Sequence, residues 1–114
     1  MTAEDAMTRI NELLTHVWMV RTFLKHCDEA EQDEELREIQ RTLYDYMLSL
    51  GGPFQARDAV AYLKQARKKF PKLMRACELF IQIQPEVSTH TNFQMAAESL
   101  RVSVAGIGNI LERI

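Results

Sequence analysis

The chain has 114 residues, 46% hydrophobic and 26% charged, the length and balance of one globular domain. Fourteen Lys and Arg against sixteen Asp and Glu leave a formal charge of -2, which excludes a whole-molecule electrostatic pull toward nucleic acid or an anionic membrane. With 4 Gly, 3 Pro and no β-branched runs, the composition excludes a loop-rich all-β domain and points to helices.

Apolar positions spaced alternately three and four apart recur in four segments. In the first, Ile10, Leu13, Val17, Val20, Leu24 and Cys27 form a stripe thickened by Leu14, and Thr2 with Asp5 can form a capping box, predicting a helix from about Ala3 to Asp28. The second carries Leu36, Ile39, Leu43, Tyr46 and Leu50, with Met47 beside them, and is expected to stop at Gly51-Gly52-Pro53. In the third, Ala59, Leu63, Ala66, Phe70, Leu73, Cys77, Phe80 and Gln84 keep the alternation straight through Pro71. Two independently packed helices would have no reason to share that register, so one long helix from about Gln55 to Gln84, kinked near Pro71, is predicted. Pro85 marks the next expected break. Ser88 or Thr91 would cap the last helix, whose stripe is Phe93, Ala97, Leu100, Val104, Ile107, Leu111 and Ile114. Short connections force antiparallel neighbours, so the sequence predicts an all-α, up-down-up-down four-helix bundle about 30 to 40 Å long, one domain over residues 1–114. Gly106 and Gly108 lack the preceding strand and third glycine of a dinucleotide fingerprint and read as close helix packing.

No apolar run approaches the eighteen or so residues needed to span a bilayer, so no membrane insertion is expected. The start Met1-Thr2-Ala3-Glu4-Asp5 is acidic, unlike a secretory signal, and Cys27 and Cys77 stand 50 positions apart without a Cys-x-x-Cys; a reduced, cytoplasmic setting is the expectation. The basic run Lys64, Arg67, Lys68, Lys69, Lys72 and Arg75 has no interleaved aromatic except Phe70 on the core stripe, so nucleic acid is not the expected partner. An acidic run from Asp28 to Glu38 opposes it, and the two runs could also meet between copies.

Three groupings carry candidate chemistry. Cys27, Cys77 and His90 have the thiolate and imidazole donors that suit zinc or copper, although buried cysteines in a core are the plainer reading; His26, beside Cys27, points about 100° away from it. Glu12 and His16 are four apart on one helix face, where a carboxylate can orient an imidazole as a general base requires, but no nucleophile stands beside them. Arg21 falls within the apolar stripe of the first helix and must find a partner: a carboxylate from Glu38, Glu78, Glu98 or Asp45, or a bound anion, with His16 assisting. No cofactor is indicated.

The first helix is apolar almost all round from His16 to Leu24, more than one core-facing stripe can bury. Either three neighbours cover it, or Trp18, Met19 and Phe23, with Tyr44, form a patch that meets another chain, aromatic and Met residues being enriched in interfaces. The second reading makes the protein a non-enzymatic bundle acting through self-association or a protein partner; the alternative is a bundle that binds a small molecule, anion or metal. The runs His16-Val17-Trp18-Met19-Val20-Arg21-Thr22-Phe23-Leu24-Lys25-His26 and His90-Thr91-Asn92-Phe93-Gln94-Met95-Ala96 resemble those of an uncharacterised family of small bacterial helical proteins. The resemblance implies a bacterial source and carries no catalytic or binding residue.

Overall fold

Each of four helices begins where a side chain takes up a backbone N–H that the first turn leaves unpaired. In the computed structural model, which describes all residues from Met1 to Ile114, these are α1 (Ala3–His26), α2 (Glu34–Gln55), α3 (Ala59–Val87) and α4 (Thr91–Arg113). The Thr2 hydroxyl accepts from the Asp5 amide at 3.0 Å while the Asp5 carboxylate answers at the Thr2 amide, the expected capping box. Asp33 and Asp58 accept from the amides of Leu36 and Ala61 at 3.1 and 3.0 Å. The α4 cap is neither Ser88 nor Thr91: Nδ1 of His90 accepts from the Asn92 amide at 3.1 Å, and the Ser88 hydroxyl instead accepts from the His90 amide.

The helix ends differ from expectation in four places. α1 stops at His26 rather than Asp28, because Cys27 turns extended and Asp28–Glu31 form a 3-10 turn, which Arg37 secures by donating to the Ala30 and Glu31 carbonyls at 2.9 and 3.0 Å. α2 runs through Gly51, Gly52 and Pro53 to Gln55. Its left-handed stop is Arg57, at φ 54°, with Asp58 and Arg57 amides donating back to the Pro53 and Phe54 carbonyls at 3.0 Å. Continuing past the proline forgoes one backbone bond but brings Phe54 against Tyr62, ring centroids 6.2 Å apart. α3 crosses Pro71 unbroken, as its seam requires, but starts at Ala59 rather than Gln55 and also passes Pro85 to end at Val87.

The four helices pack as antiparallel neighbours in a ring, α1 on α2 and α4, α3 on α2 and α4, within 41 × 22 × 19 Å. All five α2 seam positions are buried, as are most seam residues of the other three helices. Leu13 and Phe70 are only half buried because they lie across the backbone of α4: a Cβ on Gly106 would stand 2.9 Å from Leu13 Cδ1, and one on Gly108 2.9 Å from Phe70 Cζ. The glycines are thus the close-packing positions their sequence suggested. Cys27 is half buried and Ile114 exposed, where the stripes run out beyond the bundle ends. No helix is long and apolar enough to cross a membrane.

Candidate functional site

The apolar middle of α1 is divided among three directions. Val17, Val20 and Leu24 enter the core. Phe23 turns toward α4 and meets Phe93 edge to face, centroids 4.9 Å apart, so it belongs to the bundle's own packing and not to the outer patch expected to include it. Trp18 and Met19 point outward, 46% and 67% exposed.

Arg21 holds Trp18 in place. Its guanidinium carbon lies 5.1 Å from the Trp18 ring centroid and 4.5 Å from that of Tyr44, the two rings being 6.4 Å apart and tilted by 44°. Nε donates to Gln40 Oε1 at 3.2 Å. This corrects the expected carboxylate partner: Arg21 is half buried at the α1/α2 seam rather than sealed in the core, so two π faces, one amide and solvent suffice for its charge. Of the carboxylates considered, Glu98 pairs with Arg101, which lowers the Glu98 pKa, and Asp45 lines the opposite side of α2.

Apart from Arg21 itself, the residues that line the α1/α2 seam around this cluster are uncharged. Along the seam α1 presents Thr8, Asn11, Thr15 and Trp18, with the Thr22 hydroxyl buried and unpartnered, and α2 presents the half-buried Gln40, Tyr44, Met47 and Phe54 with exposed Gly51; farther round α2 the exposed positions include Arg41, Asp45 and Leu48. Between the two helices lies a cleft of about 360 Å³ walled by Asn11, Leu14, Met47, Leu50, Gly51 and Phe54, with Trp18 and Met19 on its rim. Gly51 is helical, and a Cβ built there would meet nothing within 4 Å, so no contact inside the chain requires its bare backbone.

The remaining candidates are dispersed. Glu12 and His16 share a shallow cleft of about 540 Å³ with Arg9 and Arg113 between α1 and α4, without a hydrogen bond between them, and Arg21 is not part of it. Cys27, Cys77 and His90 do not converge: no three His, Cys, Asp or Glu side chains stand where they could hold a metal ion. Cys27 donates to the Leu24 carbonyl, and His90 is occupied as a cap. Burial raises both thiol pKa values, that of Cys77 to about 11 with help from Glu78 and against Arg101. Protonated thiols are poor ligands and poor nucleophiles at neutral pH.

Sequence reasoning missed two features. The α2 wall of the cleft, Met47, Gly51 and Phe54, was hidden by the expected stop at Gly51, although the uncharged spacing 40, 44, 47, 51 was legible. A second cleft, of about 400 Å³ between α2 and α3, gathers Lys68, Lys69 and Lys72 with Thr42 and Asp45; its signal was the basic run. No protein family model, curated protein or solved structure matches the chain.

Proposed function

We propose that this protein works by association rather than catalysis, as a homo-oligomeric helical bundle whose contact surface is the outer face of α1 and α2. The observation that carries the reading is Trp18, half exposed yet fixed by Arg21 and Tyr44 beside an apolar cleft whose walls carry no charge. Trp, Tyr and Arg are the residue types in which binding hot spots are enriched, and interface centres are depleted of charge. An aromatic anchor already held by its neighbours loses little conformational freedom on binding, which favours affinity. The test is native mass spectrometry of the wild type beside a Trp18→Ser, Met19→Ser variant. The wild type is expected as an oligomer and the variant as a monomer of unchanged helical circular dichroism. A variant that assembles like the wild type would refute the surface.

The α2/α3 cleft favours a second reading, binding of a small anion. Lys68, Lys69 and Lys72 line it with the Thr42 hydroxyl against the single carboxylate of Asp45, and none of the three lysines is in an ion pair; the ion pairs of the chain are Glu34 with Arg37 and Glu98 with Arg101. Inorganic tripolyphosphate should then raise the melting temperature of the wild type but not of Lys68→Gln, Lys72→Gln. An unmoved wild-type melt removes this reading.

A further inference from the structure

We propose that two copies pair face to face with their α1 helices antiparallel, about a twofold axis at the level of Thr15. This rests on the association surface above and adds the orientation of the partner, a second copy of the chain.

A twofold interface uses the same patch on both copies, so the patch must complement itself. With the outer faces of α1 and α2 opposed, two alignments exist, parallel and antiparallel. The charges along the outer stripe of α1 distinguish them. The stripe is uncharged from Thr8 to Thr22 and ends in Glu4 at one side and His26 at the other, with the Lys25 ammonium about 80° round the helix on the side of α2. Glu4 and His26 stand 11 residues on either side of Thr15, each about 16 Å from it along the axis and within roughly 20° of its direction on the helix. Parallel pairing would set Glu4 on Glu4 and His26 on His26. Antiparallel pairing sets Glu4 of each copy against His26 of the other, Thr8 against Thr22, and opposes the two helix dipoles favourably. Glu12 does not interfere, because it lies on the side of α1 that faces α4.

The same operation finds a seat for the tryptophan. Trp18 is three residues beyond Thr15, so it lands on the other copy three residues before Thr15, on the α2 side where Trp18 meets Tyr44. That is the level of Asn11, where the α1/α2 cleft opens between Met47, Gly51 and Phe54. The bare backbone of Gly51, which nothing inside the chain requires, leaves room there for an indole. Each copy offers one knob and one hole.

Cysteine cross-linking tests the alignment in the full chain, with Cys27→Ser leaving only the buried Cys77. Under mild oxidation Thr15→Cys should give a covalent dimer alone. Glu4→Cys and His26→Cys, both at exposed positions, should cross-link about tenfold faster when mixed than either does alone, because only the mixture places two thiols at high effective concentration. Self-linking of Glu4→Cys and of His26→Cys with no gain on mixing would mean parallel pairing and overturn the proposal. If no position cross-links while the wild type is dimeric, the alignment again fails but the association reading stands. A monomeric wild type would defeat both.

Discussion

Replacing Tyr62 by Phe should stabilise the fold, whereas the same change at Tyr46 should destabilise it. Both tyrosines are buried in the core, at 0% and 2% exposure. The Tyr46 hydroxyl donates to the Ala66 carbonyl at 3.1 Å; the Tyr62 hydroxyl has no protein partner. A buried hydrogen bond contributes about 0.5 to 1.5 kcal/mol net, so Tyr46→Phe should cost about 1 kcal/mol. A buried polar group without a partner carries a penalty of about 1 to 3 kcal/mol, and removing one oxygen leaves the ring seated against Phe54, so Tyr62→Phe should gain roughly 1 kcal/mol. The two variants should differ by about 2 kcal/mol, a sizeable part of the 5 to 15 kcal/mol typical of a small domain. Urea denaturation reads the difference as opposite shifts in midpoint at constant slope. If Tyr62→Phe loses as much as Tyr46→Phe, the hydroxyl is satisfied in solution and the reasoning fails.

Three further outcomes follow from other parts of the bundle. Gly51→Ala adds a Cβ into open space at a helical position and should raise the stability of the monomeric Trp18→Ser, Met19→Ser variant by about 0.5 to 1 kcal/mol, whereas Gly108→Ala, driven against the Phe70 ring, should not gain it; thermal melts in that background separate them. Phe23→Ser should cost about 2 to 3 kcal/mol, somewhat under the range for fully buried aromatics, while Met19→Ser leaves the urea midpoint of the monomer unmoved; equal effects would mean Phe23 is not part of the packing. Alkaline stability should fall in stages. Burial holds Cys77 at about 11 against an ordinary 9.0 and raises Tyr46 and Tyr62 above their ordinary 10.0, so the unfolded chain ionises first. The thiol's contribution is complete below pH 9 and is lost toward pH 11, on the order of 2 to 3 kcal/mol, with the tyrosines adding to the decline above pH 10. Cys77→Val should flatten the first stage in urea titrations run at stepped pH.

The helical spacing was legible because a helix that buries one stripe must repeat its apolar residues every three or four positions, and α2 shows this cleanly: Leu36, Ile39, Leu43, Tyr46 and Leu50 are all buried. The same periodicity carried α3 through Pro71. It failed at Pro53 and Pro85, where local turn chemistry was read without the contacts that outweigh it, such as Phe54 on Tyr62. Trp18 and Met19 were legible as surplus apolar residues on α1. Phe23 was not separable from them, since only the position of α4 decides that it meets Phe93. Arg21 was correctly marked as needing partners, but an aromatic pair formed across two helices leaves no trace in either stripe. The clefts depend on which helix faces which, and that is fixed only by the assembled bundle.

The central claim, association through the α1/α2 face, is tested most directly by native mass spectrometry of the untagged protein. The account predicts a dimer at twice the 13.2 kDa chain mass, reduced to a folded monomer by Trp18→Ser with Met19→Ser. A wild type that remains at 13.2 kDa across the accessible concentration range would contradict it.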